Sequence, residues 1–246
     1  MNISGSGKIA AGDYNESIKV SGSGRLDGNV RCQSLHCSGS VKGTANVVCI
    51  EEVKVSGACK IENSISAQNV YVSGALKVGG DVNADKEIRL SGGISCGGSL
   101  KCESFKCSGG LDVGSEIEAE EIRISGSIKC RGLMNAEKIE ISLENSNTAS
   151  RVGSIGGGEV KIYGQKSKMS RMPLLNKFVG HGGNLTVDEL IEGDVVALEF
   201  VTAPRLRVAL LPLAKAVRST SCNIVRRSRS IPKQLSANAR KYKFKF

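Results

Sequence analysis

Residues 53–74 of the chain read VKVSGACKIENSISAQNVYVSG, and this stretch decides the fold. It begins with Val53-Lys54-Val55-Ser56-Gly57, and the same pattern returns at its end in Val70-Tyr71-Val72-Ser73-Gly74. Alternation of apolar and polar residues is typical of a β-strand with one buried face. A strand motif that recurs at a fixed interval predicts a repeat fold.

The motif extends along the chain as far as Ser142. Its serines recur every 17 or 18 positions, and they are Ser4, Ser21, Ser38, Ser56, Ser73, Ser91, Ser108, Ser125 and Ser142. Counted from each serine, apolar residues fall at offsets −3, −1, +3, +5, +9 and +11, so each period contains three pairs of inward-facing residues. Three short strands per period predict an all-β protein, a β-helix with about 17 residues in each triangular coil.

Composition supports the β-helix against other repeat folds. The chain has 30 Gly, no Trp and only 4% aromatic residues. An α-solenoid would need a 3.6-residue period and helix-forming residues, and a β-sandwich or propeller would need longer strands with aromatic anchors. We expect glycines between the strand pairs to lie at corners that need unusual backbone angles. Examples are Gly28, Gly43, Gly80, Gly98 and Gly132.

The cysteines and histidines give no pattern that indicates catalysis or metal binding. Eight of the nine cysteines fall in inward columns of the repeat, where a thiol acts as a small hydrophobe. None of their spacings matches the CxxC pairs of a zinc site. The only histidines are His36, at an outward strand position, and His181. Hexapeptide acyltransferases, which are left-handed β-helices, build each coil from three hexapeptides and usually carry a catalytic histidine, whereas the period here is repeatedly shorter. We therefore predict no enzyme, no cofactor and no metal.

The net charge of +10 is concentrated at one end of the chain. Arg205–Phe246 contains 12 Lys and Arg and no Asp or Glu, which leaves residues 1–204 with 22 basic and 24 acidic groups. A basic tail that also carries aromatic residues is compatible with binding nucleic acid or another anionic surface. The sequence has neither an apolar run of about 18 residues nor the apolar stretch of a signal peptide, so we expect a cytoplasmic protein.

A second interpretation of the tail is that residues from about Leu206 onward are out of the original reading frame. Acidic residues and the 17-residue marker both disappear there. If each codon is rebuilt from the last base of the preceding codon and the first two of its own, residues 207–230 can encode GRVVAIGEGCEIDLVQYSEEVEI. That string regains alternation and acidic residues. A solvated basic tail is the competing interpretation.

The serial Val-x-Val-Ser-Gly coils, over about residues 1–204, resemble the bactofilins, polymer-forming bacterial cytoskeletal proteins. Residues 184–203 are similar to the later part of the longer versions found in Firmicutes. The resemblance implies a right-handed β-helix that polymerises end to end without nucleotide and serves as a scaffold, often at the membrane. It implies the chain itself, or a paralogous bactofilin, as partner. Nucleic acid is not an expected partner. Unlike many bactofilins, this chain begins its repeat near Met1 and has only four prolines.

The sequence therefore divides into four parts. Residues 1–164 form the main β-helix, 165–183 a basic loop, 184–204 a second short β segment, and 205–246 the basic tail. Because an uncapped β-helix exposes strand edges, we expect polymer contacts at the first and last coils. The predicted contacts are inward apolar residues: Ile3, Ile9, Ile18, Val20, Val195, Leu198 and Phe200.

Overall fold

Each coil contributes three strand segments, and each segment pairs in parallel with the equivalent segment of the neighbouring coil. The computed structural model describes residues 1–143, 149–164, 184–210 and 223–226. These residues form an all-β solenoid of about 11 turns, with about 17 residues per turn. The β-helix predicted from the sequence is confirmed.

Most strands of the first half are short, although one of them runs for 15 residues and continues around two corners. They are β1 (Asn2–Ile3), β2 (Ser6–Asp13), β3 (Ile18–Val20), β4 (Ser23–Cys37), β5 (Ser40–Gly43), β6 (Val47–Val55), β7 (Ala58–Ile61), β8 (Ile65–Val72), β9 (Ala75–Val78) and β10 (Val82–Leu90).

In the second half, some strands continue around a corner. The strands are β11 (Gly93–Cys96), β12 (Leu100–Lys101), β13 (Ser104–Cys107), β14 (Gly110–Val113), β15 (Ile117–Ile124), β16 (Ser127–Ser142), β17 (Ser150–Tyr163), β18 (Leu185–Leu198), β19 (Val201–Thr202), β20 (Arg205–Leu210) and β21 (Asn223–Arg226).

The three strand segments of a coil define three faces, which we call A, B and C. Face A contains the pair before each marker serine, such as Val53 and Val55, and face B contains the pair after it, such as Cys59 and Ile61. Face C contains the third pair, such as Ile65. Register along each face follows the repeat, with Val53 beside Val70, Cys59 beside Leu76 and Ile65 beside Val82.

The inward columns form one continuous core along the axis. Phe105 is the largest fully buried side chain, and it lies in face A between Ile88 and Ile122. All eight repeat cysteines are buried, as predicted. Apart from Phe105, the buried hydrophobic residues of the described chain are aliphatic, Cys or Met.

Glycine at the corner between faces A and B is required by close approach of neighbouring coils. A Cβ on Gly57 would overlap the carbonyl oxygen of Gly39, and one on Gly74 would overlap that of Gly57. Among the five glycines expected to have unusual backbone angles, only Gly28 has a positive φ, 99°. For the others that expectation is wrong. A Cβ on Gly43, Gly80, Gly98 or Gly132 would instead clash with an atom of an adjacent coil.

A ladder of polar side chains closes the corner between faces B and C. The Asn46 backbone N–H donates to Oδ1 of Asn29 at 3.1 Å, and the Ser64 N–H donates to Oδ1 of Asn46 at 3.1 Å. The Asp81 N–H donates to Oγ of Ser64 at 2.9 Å, and the Ser99 N–H donates to Oδ1 of Asp81 at 2.8 Å. Each side chain therefore satisfies a backbone donor of the next coil that would otherwise be lost at the turn.

The later coils stack directly on the earlier ones. Val160 of β17 pairs with Ile139 of β16 and with Val196 of β18, although these partners lie far apart in the chain. Residues 184–204 therefore continue the same solenoid. The predicted basic loop, 165–183, lies outside the described residues.

The solenoid also extends beyond residue 204, into the range assigned to the tail. In β20, Leu206 pairs with Ile191 and is 1% exposed, and Val208 pairs with Gly193. The guanidinium of Arg207 donates to Glu192 at 3.3 Å. Strand pairing of the solenoid therefore continues through Leu210. Apart from residues 223–226, the chain after Leu210 lies outside the described residues.

Candidate functional site

The first coil presents strand edges that no other described residue occupies. Strand β1 pairs only with β3, and β2 pairs only with β4, within the part of the chain that the structure describes. Among the described residues, the opposite edges of both strands have no strand partner, so their backbone donors and acceptors can pair with another strand. A parallel strand can add to such an edge with the same register as the coils beneath it.

Two half-buried apolar side chains cover the core at this end. Ile3 lies beside Gly7, where a Cβ would come within 3.1 Å of its Cδ1, and Tyr14 packs against the end of the core. The Tyr14 hydroxyl donates to the carbonyl of Ala10 at 2.9 Å. Register places Tyr14 in the column of Cys32, because Asp13 pairs with Arg31. An aromatic ring thus stands where later coils have Cys or Ala.

Sequence reasoning missed Tyr14 because the first coil is one residue shorter than the repeat before face C. Gly12 pairs with Val30, so the offset from the marker serine is +8 in the first coil and +9 in the next. The signal that could have found it is an aromatic residue in an otherwise small-residue column.

The four predicted contacts of the first coils lie together at the proximal end of the solenoid. Ile9, Ile18 and Val20 are buried in the core, whereas Ile3 is half-buried. The N-terminal ammonium beside them donates to Oε2 of Glu16 at 2.6 Å. Ile3 is therefore the predicted contact that a neighbouring molecule can reach without opening the coil.

The three predicted contacts of the last segment do not form one inward set. Leu198 is buried, but Val195 is half-buried and faces outward because its neighbour Val196 occupies the inward column opposite Val160. Phe200 is 41% exposed, has a φ of 59°, and lies against Gly164. The expectation that Val195 and Phe200 point inward is wrong. The corner after Leu198 is shortened, and this places Phe200 in the turn.

The distal end also has strands with one paired edge. Within the described residues, β19 pairs only with β18, and β21 pairs only with β20. Both ends of the described solenoid thus offer parallel strand edges. Strand pairing is parallel at both ends, as it is along the rest of the described solenoid.

The cysteine columns bring thiols on adjacent coils together. Sγ of Cys32 lies 3.5 Å from Sγ of Cys49, and all eight repeat cysteines are free thiols. Burial raises the pKa of Cys96 and of Cys130 to about 11, and that of Cys102 to about 12. These thiols therefore stay protonated near neutral pH and fill space in the core.

The predicted outward histidine is in fact partly covered. His36 is 32% exposed, and its Nε2 lies 2.8 Å from Oε1 of Glu52. His181 lies outside the described residues. No group of three or more His, Cys, Asp and Glu that could hold a metal ion occurs in the described ranges.

A shallow groove runs along face A over the later coils, and its charges neutralise one another. Glu87 bonds both Arg89, at 3.0 Å, and Lys106, at 2.9 Å. The hydrogen bond from Lys106 is the main reason that the pKa of Glu87 is lowered. Farther along, Tyr163 donates its hydroxyl proton to Glu140 at 2.7 Å. The charged residues that line the groove, Arg89, Lys106, Arg123 and Glu140, therefore all have partners within the chain.

Comparison of the chain with protein-family models, with curated proteins and with solved structures gave no match. No helix in the described residues is long and apolar enough to cross a membrane.

Proposed function

We propose that this protein is a non-enzymatic scaffold that assembles end to end into filaments without nucleotide. The observation that carries the proposal is the pair of edge strands β1 and β2, each paired on one side only within the described chain. Solenoid proteins that stay monomeric usually cover such edges with a polar capping repeat. Here the first coil offers backbone edges and the half-buried Ile3 and Tyr14.

The sequence pattern supports the same function. The coils of Val-x-Val-Ser-Gly resemble those of bactofilins. For this chain, the resemblance implies nucleotide-independent polymers in the cytoplasm, often at the membrane periphery. A paralogous solenoid is a second partner of the same kind, because it would offer the same strand spacing of about 4.8 Å.

A single substitution at the proximal end tests the interface. Replacing Ile3 by Lys places a charge where a neighbouring coil would stack, and burying an unpaired charge at that position is strongly unfavourable. We expect Ile3→Lys to reduce filament formation at least about tenfold, measured by sedimentation and electron microscopy. Its β-sheet circular dichroism signal should match that of the wild type.

Val48→Lys is the matched control. Val48 is an apolar residue on the outer surface of face C, 38% exposed, and it lies away from both ends of the solenoid. This variant should assemble as the wild type does. Equal loss of assembly in both variants, or unchanged assembly of Ile3→Lys with its fold intact, would contradict the proposed interface.

A further inference from the structure

The outer surface of face B carries basic side chains on five consecutive coils. Strand register places each directly beside the next, and we call this set the basic ladder: Lys8, Arg25, Lys42, Lys60 and Lys77. All five are exposed. Like charges directly opposite each other on neighbouring strands destabilise a sheet, so the solenoid tolerates an unfavourable arrangement here.

Few carboxylates offset the basic ladder. Asp27 bonds Arg25 at 2.6 Å and lies 3.8 Å from Lys8, and Glu62 lies 3.9 Å from Lys60. Lys42 and Lys77 form no ion pair with any residue that the structure describes. Face A differs, because there Glu87 bonds both Arg89 and Lys106. The cations of face B therefore keep a net charge that the chain itself leaves uncompensated.

An exposed acidic column lies at the corner between faces C and A, on four consecutive coils. We call it the acidic ladder: Asp85, Glu103, Glu120 and Glu137. The Glu120 N–H donates to the carbonyl of Glu103 at 2.9 Å, and the register of Ala119 with Ala136 places Glu120 beside Glu137. The Glu103 N–H donates to the carbonyl of Lys86 at 3.0 Å, and Asp85, one residue before Lys86, is at the same corner of the preceding coil. None of the four side chains is in an ion pair within the described ranges. Lys86 and Lys138 are the cations next to them in the chain.

The two ladders are complementary in charge, in spacing and in position. In a three-sided coil, face B is the side opposite the corner between faces C and A, so the ladders lie on opposite sides of the molecule. Both repeat at about 4.8 Å, because backbone pairing sets the distance between coils. A partner whose carboxylates match the basic ladder coil by coil must have the same spacing, and another solenoid of this kind has it.

We propose that a second copy of this chain docks its acidic ladder on the basic ladder, so that solenoids associate side by side. The basic ladder occupies the first five coils and the acidic ladder begins on the fifth. Parallel neighbours are therefore staggered by about four coils, or ~19 Å. Because each molecule carries the two ladders on opposite sides, the contact is heterologous and continues from molecule to molecule. This association goes beyond end-to-end assembly and does not depend on it.

Charge reversal in the full chain tests the contact. Exposed ion pairs are individually weak and are screened by salt, so the side-by-side species should form at about 50 mM salt and dissociate at about 500 mM. At this stagger Lys42 faces Glu120 of the neighbour, and Lys60 faces Glu137. Lys42→Glu combined with Lys60→Glu should weaken the association at least about tenfold in sedimentation velocity. Glu120→Lys combined with Glu137→Lys should have the same effect. A chain with all four substitutions should regain association, because the signs of both facing pairs are exchanged.

Lys19→Glu combined with Lys54→Glu is the matched control, since both lysines are exposed on face A. It should associate as the wild type does, and all variants should keep the wild-type circular dichroism spectrum. Electron microscopy separates this inference from the proposed function: ladder variants should form single filaments where the wild type forms laterally joined ones. If neither forms filaments, the salt-sensitive species in sedimentation still tests the ladders.

Two results would overturn the inference. One is failure of the four-substitution chain to regain association while its fold is intact. The other is a wild type without salt-sensitive self-association whose basic ladder instead binds single-stranded DNA or phosphatidylserine vesicles, with that binding lost in Lys42→Glu/Lys60→Glu. That outcome would assign face B to a polyanion.

Discussion

At the scale of single residues, the contact between coils determines which side chain each corner position accepts. Gly57 has no space for a Cβ, since that atom would overlap the carbonyl oxygen of Gly39. Gly93, at the start of β11, has nothing within 4 Å of the equivalent position. Neither residue has a positive φ. The two glycines therefore separate the effect of crowding from that of backbone conformation.

We predict that Gly57→Ala lowers the free energy of unfolding by about 1–3 kcal/mol, because two coils must separate to admit the methyl group. Gly93→Ala should be neutral or stabilising by about 0.4–1 kcal/mol, since alanine restricts the unfolded chain without a clash. Urea unfolding followed by circular dichroism measures both. Similar midpoints for the two variants would show that the corner does not require glycine.

At the scale of strands, alternation made the inward columns predictable, and the cysteines followed from them. The corners were not predictable in the same way, because their chemistry depends on the neighbouring coil. The Asn29, Asn46 and Ser64 ladder joins side chains to backbone donors one full coil away, and local turn propensity does not detect it. Likewise, alternation alone predicts that Phe200 faces the core. The corner after Leu198 is shortened, and Phe200 is exposed because of it.

We predict that the cysteines of the repeat react slowly with thiol reagents in the folded state. Because burial raises the pKa of Cys96 and Cys130 to about 11, their reactive thiolate is scarce at neutral pH and increases as the pH rises toward 11. Side-chain hydrogen bonds from neighbouring thiols lower the pKa of Cys32 and of Cys37, but all eight repeat cysteines are buried. A bulky thiol reagent should therefore label them slowly at pH 7 and rapidly in urea, as mass spectrometry of peptides can follow. Cys222, outside the repeat and outside the described residues, should be labelled first.

Zinc chelators and oxidants should leave folding unchanged, because the buried thiols fill space. Rapid labelling of several repeat cysteines at pH 7 without denaturant, or loss of circular dichroism signal with a chelator, would contradict their placement in the core.

At the scale of the whole molecule, register along the solenoid bears on the reading frame of the tail. The segment IGGGEVKI (155–162) pairs with IEGDVVAL (191–198), which brings Gly157 beside Gly193 and Val160 beside Val196. Leu206 and Arg207 then pair with Ile191 and Glu192, but Val208 takes the position opposite Gly193. The first rebuilt codon ends within codon 208, so the restored string GRVVAI would place its glycine opposite Gly193 and its arginine opposite Asp194. Its next four residues, Val-Val-Ala-Ile, would then fall opposite residues 195–198.

We therefore predict that the chain leaves its original frame after Arg207, slightly later than composition alone indicated. Sequencing the coding DNA tests this directly, because codons 207–230 must yield GRVVAIGEGCEIDLVQYSEEVEI in the shifted frame. Synonymous codons leave only the first base of each restored codon free to vary. Codons that cannot encode that string would restore the basic tail as a binding element.

In the proposed filament, the coils of one molecule continue the strand pairing of the next. Purified full-length protein, free of nucleotide, should form filaments in electron microscopy whose diffraction shows a continuous axial repeat of about 4.8 Å. A particle that stays monomeric over a wide range of concentration and salt would contradict the account. So would a filament without that repeat along its axis.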